Sequence, residues 1–221
     1  MTDRSDGGGR GTGDSGSNAC RSRDAGSERT DARSVGNQSA ATRSSDVKRS
    51  LEGQTLTQRM SKDECVRSFE APPDPRGFDM GATVLSRDAQ GRAVMAEGWA
   101  RPETGARVPS GVRDGVCDGA ARELNASHLL PRSVGGPVYG NLVGAPREQN
   151  AANASFERAL SQRTRAGDPL YVQGRVEYSD LSPNARPDVL ELKVWTRGSD
   201  GRPVFVDGIR SYPDGRTERY H

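Results

Sequence analysis

Large apolar side chains are nearly missing from the first sixty residues of this 221-residue chain, and that asymmetry limits where a core can form. The segment is built from Gly, Ser, Arg, Asp and Thr, with opposite charges intermingled. Such a stretch cannot bury enough apolar area to offset its ordering entropy. Residues 1–60 are therefore expected to be a disordered tail, acting as a linker or leader. Hydrophobic residues make up 32% of the whole chain, aromatics 5%, and mean hydropathy is −0.82, which fits one domain behind a tail.

The texture changes after residue 60. A short helix is expected around Leu56–Phe69, followed by the stiff connector Ala71-Pro72-Pro73-Asp74-Pro75. This gives residues 61–78 as a helix and Pro-rich connector, and residues 79–221 as the folded domain. Ala82–Leu85 and Arg92–Trp99 read as strands joined by the turn Asp88-Ala89-Gln90-Gly91. A Gly-, Pro- and Arg-rich loop then runs to Asp118. Ala126–Leu130 reads as a short strand, ended by Pro131. A helix is expected from Asn150 or Asn153 to about Ala166. Asn is a favoured N-cap, Phe156, Ala159 and Leu160 share a face, and Gly167 is a good stop. Leu170–Tyr178, Val189–Thr196 and Pro203–Ile209 read as strands, with Asp200-Gly201 as a hairpin turn. The fold class expected is α+β, with an antiparallel sheet and one prominent helix.

Charge and cysteine usage narrow the function classes. The net charge of +2 is a weak footprint for a tight nonspecific nucleic-acid binder. Lysine occurs only at Lys48, Lys62 and Lys193, so Arg carries the positive charge. Arg suits bidentate phosphate contacts, and a GC-rich coding sequence gives the same enrichment. Cys20, Cys65 and Cys117 have no CxxC spacing, which argues against zinc. Cys65 and Cys117 could pair in an exported protein, and independent free thiols are the simpler reading. No apolar run is long enough to span a membrane, and Met1–Ser17 lacks the apolar core of a signal peptide. The expectation is delivery by a non-classical secretion route, or otherwise residence in the cytoplasm, with no membrane partner.

His128 is one of two histidines, and the other is the terminal His221. It lies in Asn125-Ala126-Ser127-His128-Leu129-Leu130-Pro131-Arg132. Gly135-Gly136, Asn141-Leu142-Val143, and then Asn150, Asn153 and Glu157 follow it. Strand with His, Gly-rich loop, Asn-Leu-Val, helix with Asn and Glu: in this order the segment resembles the DNA/RNA non-specific endonuclease family. The likeness is to the bacterial toxin-type branch of these His-Me finger (ββα-metal) nucleases. It runs over about residues 80 to 210 and includes Gly91-Arg92 and Glu97-Gly98 of the upstream hairpin.

The resemblance implies a ββα-metal core and a metal-dependent endonuclease that hydrolyses DNA and/or RNA with little sequence specificity. It implies His128 as general base, and Asn150 or Asn153 as ligand of Mg²⁺ or another divalent cation such as Mn²⁺. Asn150 is the better positional match. Glu157 resembles the Glu that orients metal-bound water, and Asn141 the Asn that supports the site. Arg132 is the candidate phosphate contact, with Arg158 and Arg163 behind it. The branch implies a secreted antibacterial toxin with a cognate immunity protein as partner.

The chemistry suits the residue types. A neutral imidazole can take a proton from water near pH 7. Mg²⁺ prefers oxygen ligands and needs only one or two from protein. Two departures stand out: Ala126 replaces the phosphate-contacting Arg of the Asp-Arg-Gly-His pattern, and Gly144-Ala145 replaces Pro-Gln. They motivate the alternative of an impaired nuclease fold that binds nucleic acid or a protein partner without cutting. Each residue also has a bland role. Either Asn could cap the helix, Glu157 could favour its first turn, Gly135-Gly136 could be only a loop, and Trp99 and Trp195 could be core.

Overall fold

The expected hairpins and late strands join into one sheet with a polar and an apolar face. The computed structural model describes residues 50–102, 124–137, 139–180, 182 and 185–221. The elements are β1 (Thr55–Arg59), α1 (Lys62–Glu70), α2 (Pro75–Phe78), β2 (Thr83–Arg87), β3 (Ala93–Trp99) and β4 (Leu124–His128). A 3₁₀ turn (Arg132–Val134) precedes β5 (Leu142–Pro146), α3 (Arg147–Arg165), β6 (Tyr171–Glu177), β7 (Val189–Arg197), β8 (Pro203–Ser211) and β9 (Thr217–Tyr220).

Seven strands form the main sheet in the order β1-β2-β3-β6-β7-β8-β9. Every pairing is antiparallel except β1 with β2, so the sheet is mixed and not purely antiparallel. The strands β4 and β5 form a separate antiparallel pair. The class is α+β.

The register defines the two faces. Ala96, Gly174, Leu192 and Ile209 lie opposite one another across four strands, and all belong to the buried interior. Successive strand residues point to opposite faces. The neighbouring rows are therefore on the other side: Met95, Arg175, Glu191 and Arg210, then Glu97, Gln173, Lys193, Gly208 and Tyr220.

The segment after β4 lies on the apolar face. A Cβ built on Gly174 would stand 1.9 Å from the Leu129 carbonyl oxygen, so only glycine admits this approach. From α3, Phe156 and Leu160 enter the same core as Leu129, Leu130, Val143 and Ala145. The helices α1 and α2 supply aromatic cover. Phe69 is fully buried beneath the Arg175 and Lys193 cations, at 4.8 and 4.4 Å from its ring centroid. Phe78 packs on Trp99 and Tyr171. Ser61 and Glu64 close a capping box that fixes the start of α1.

Several expectations need correction. Thr55–Arg59 lies within the stretch expected to be disordered, yet it pairs with β2 as an edge strand. Its exposure alternates without strong apolar contrast, because an edge strand with one protected side needs little. The expected Leu56–Phe69 helix starts only at Lys62, where Ser61 caps it. The long helix begins at Arg147, with Pro146 as N-cap, so neither Asn150 nor Asn153 caps it. Cys65 is a buried free thiol, its Sγ 3.6 Å from the Val94 carbonyl oxygen. Cys20, Cys117, residues 1–49 of the expected tail and most of the loop after Arg101 lie outside the described residues. Among the described residues no helix is long and apolar enough to cross a membrane.

Candidate active site

His128 is the last residue of β4. It faces Leu142 across the pair, as Ala126 faces Gly144. Two residues on, the backbone is clamped by Asn141, which is fully buried. The Asn141 side chain accepts from Leu130 N at 2.7 Å and donates to Leu130 O at 2.7 Å and to Pro137 O at 3.3 Å. Its own carbonyl accepts from Leu129 N at 3.0 Å. One side chain thus holds the end of the His-bearing strand to the start of β5. The turn between them is equally tight: a Cβ on Gly136 would stand 1.9 Å from Leu130 O. The Gly-Gly step is a packing requirement here.

The imidazole of His128 is half-buried, and its Nε2 is enclosed with no hydrogen-bond partner. Burial disfavours the charged ring, and the Arg132 cation nearby adds to this, so the pKa falls to about 4. The ring is therefore neutral at pH 7.

The helix α3 packs against β4, β5 and the 3₁₀ turn. Its inward face is unusually polar for a core helix. Gln149, Asn153, Ser161 and Thr164 are buried there beside Phe156 and Leu160. Asn153 is 3% exposed and its Oδ1 has no partner. Glu157 follows one turn later and makes no hydrogen bond or ion pair among the described residues. Burial alone pushes its carboxyl up to about 7. Asn150 is half-buried. At 100° per residue, Asn150, Asn153 and Glu157 fall within a sector of about 60°.

The structure thus brings the strand ending in His128 against the helix that carries Asn153 and Glu157, with Arg132 close enough to act on the imidazole. Other expected residues stand elsewhere. Arg158 is exposed, and Arg163 pairs with Asp168 at 2.8 Å. Trp99 donates Nε1–H to Phe78 O, and Trp195 donates to Gln173 Oε1.

Gln149 was not singled out from the sequence. It is fully buried, donates Nε2–H to Ser211 O at 2.9 Å, and leaves Oε1 without a partner. The available signal is its spacing from Asn153 and Glu157, four and eight residues on along one helix.

Among the described residues no three His, Cys, Asp or Glu side chains gather as a metal cage. The polar atoms that do gather suit a different kind of site. An amide oxygen without a donor and a carboxyl without a partner are hard ligands. They are of the kind a Mg²⁺-like ion takes in small number while keeping its waters.

No known protein family and no curated protein matches the chain by sequence. Among solved structures it is similar to NucA from Streptococcus agalactiae with magnesium ion bound. That likeness has 13% identity and a TM-score of 0.41, over 63% of this chain and 78% of that one. It is also similar to EndoG in the EndoG/EndoGI complex, at 12% identity and a TM-score of 0.39, over 58% and 70%. Likenesses this distant assign no role to any residue.

Proposed function

We propose that this chain is a metal-dependent phosphodiester hydrolase, an endonuclease acting on DNA and/or RNA with little base specificity. One observation carries the reading. His128 Nε2 and Asn153 Oδ1 are buried without a hydrogen-bond partner on elements packed together, and the half-buried Glu157 carboxyl one turn further on makes no structural bond. Unpaired buried polar groups cost about 1–3 kcal/mol each, so a fold that keeps these two side by side with a free carboxyl has a use for them.

In this reading His128 is the general base. Being neutral, it accepts a proton from water as that water attacks phosphorus and the bond from phosphorus to the leaving sugar oxygen breaks. A substrate phosphate beside the ring opposes the effect of Arg132 and raises its basicity when it is needed. Arg132 contacts the phosphate. Asn141 keeps the end of β4 in place so that the ring does not wander.

Asn153 Oδ1, with Asn150 and Glu157 beside it, would hold a divalent cation such as Mg²⁺ or Mn²⁺. When bound, such an ion supplies charge stabilisation to the phosphoryl and leaving oxygens. Glu157 would orient water there, giving up the proton that burial now favours.

Plasmid nicking by the full chain in Mg²⁺, with and without EDTA, tests the reading. Cleavage that EDTA abolishes and His128→Ala removes is expected. EDTA-insensitive cleavage, or an active His128→Ala, overturns it. Ala126 supports a second reading, a nuclease-like fold that binds without cutting, because the strand lacks an Arg on the His128 face. Retention of DNA with no nicking in any divalent cation would select that reading. A toxin role with a cognate immunity protein follows from the sequence resemblance. A stable complex with a small partner from the producing cell that blocks nicking would support it.

A further inference from the structure

Two amides stand one turn apart on α3, and both leave an oxygen buried without a donor: Gln149 Oε1 and Asn153 Oδ1. Residues four apart on a helix are side-chain neighbours, with Cβ atoms about 5–6 Å apart. Two neighbouring acceptors with nothing to accept from is an expensive arrangement.

The polarity of Gln149 is fixed from outside. Its Nε2 donates to the Ser211 carbonyl of β8, so Oε1 must be the end turned inward. With Nδ2 turned toward Gln149, the Asn153 amide would supply the donor that Gln149 Oε1 lacks. In that orientation Oδ1 lies on the other side of the amide. On the helix surface Gln149 flanks Asn153 on one side, while Glu157 and Asn150 flank it on the other, about 40–60° further round.

We propose that Gln149 is a positioning residue. It takes its polarity from the Ser211 carbonyl and passes it to Asn153, whose oxygen is thereby presented to a divalent cation on the Glu157 and Asn150 side. The chain of amides settles both orphaned oxygens and gives the cation a donor that cannot flip away. This rests on the reading of Asn153 as a cation ligand.

The test needs no nucleic acid. Mn²⁺ alone is titrated calorimetrically into the full chain and its variants. Gln149→Leu should weaken Mn²⁺ binding on the order of 10-fold, the usual loss when an orienting partner of a ligand is removed. Gln149→Glu still accepts from Asn153 but cannot donate to Ser211. It should lower thermal stability while largely keeping Mn²⁺ affinity. A merely structural Gln149 would lower stability in both variants and leave affinity untouched in both, which overturns the inference and spares the site. No Mn²⁺ binding by the unaltered chain overturns the cation reading and the inference with it. Should Gln149→Leu fail to fold, hydrogen exchange in the unaltered protein decides. The Asn153 side-chain N–H facing Gln149 should exchange slowly, and exchange at the rate of a free amide rejects the proposal.

Discussion

The polar face of the main sheet and the inward face of α3 both bury polar side chains, but they treat them differently. On the sheet nearly every such group is paired. Glu97 accepts from Gln173, which accepts from Trp195 in turn. Glu191, 1% exposed, is shared among Arg175, Arg210 and the Tyr220 hydroxyl. Lys193 donates to the Phe69 carbonyl at 2.8 Å. The Arg175 Nε and the Tyr171 hydroxyl are the exceptions. On α3 and the adjoining β4, His128, Asn153, Gln149 and Glu157 leave their functional atoms open. The first set has its energy already committed to the fold. The second set costs stability and is available to a ligand.

The sharpest way to break this comparison is His128→Ala. Loss of a general base should reduce cleavage by about 10²–10⁴-fold. The melting temperature should not fall, because the ring makes no bond that the fold depends on. A mutant that melts early with its specific activity intact would reverse the assignment. On the paired side, Glu191→Ala should do the opposite. Removing one partner of a buried network leaves Arg175 with only the more exposed Glu177, and a loss of about 3 kcal/mol in urea unfolding is expected. The folded fraction should cleave normally.

The sequence shows the strands better than it shows this contrast. β6 to β8 are visible because they mostly alternate, with Asp200-Gly201 marking the turn between β7 and β8 and Gly167 the end of α3 before them. Alternation also misleads. In Tyr171-Val-Gln-Gly-Arg-Val-Glu177 the polar positions read as solvent-facing, yet Arg175 is buried against Phe69 and Gln173 is buried between Glu97 and Trp195. Only tertiary cover, invisible locally, makes them interior. β1 and β9 do not show in the sequence because edge strands carry little apolar signal. The start of α3 does not show in the sequence because Arg-Glu-Gln after Pro146 carries no apolar residue to begin a helical period. His128 and Asn141 could be picked out because the Gly-Gly and Asn-Leu-Val spacing is dense. Which helix amide is left unpartnered depends on packing against β8, which the sequence does not display.

A pH scan sharpens the comparison at intermediate size. Burial holds Glu97 at about 7 against an ordinary 4.5, so the folded state keeps a proton the unfolded chain releases. Its contribution is fully present below pH 4.5 and lost as pH rises through about 7, a change of ~3 kcal/mol. Glu97→Gln should flatten that decline. His128 has the opposite sign. Held at about 4 against 6.5, it contributes fully above pH 6.5 and loses stability as pH falls toward 4. His128→Ala should therefore flatten the acid limb and leave the alkaline one unchanged. Calorimetric melting between pH 4 and 8 measures both limbs.

The smallest effect is the most discriminating, because its sign differs between the two kinds of site. A polar group that is part of the fold stabilises it, and removing the group costs stability. A polar group reserved for a ligand is a burden until the ligand arrives. Glu157→Met replaces an unpaired, desolvated carboxyl with an apolar chain of similar length. At pH 8, where the carboxyl must be charged or hold its proton against the solution, the variant should be about 1 kcal/mol more stable, and the gain should shrink toward pH 5. Mn²⁺ affinity should fall in the same protein. Stability and metal binding moving in opposite directions would show that α3 carries this carboxyl for its ligand. A loss of both would mean that Glu157 has a structural partner, and the contrast between the two faces would not hold at this position.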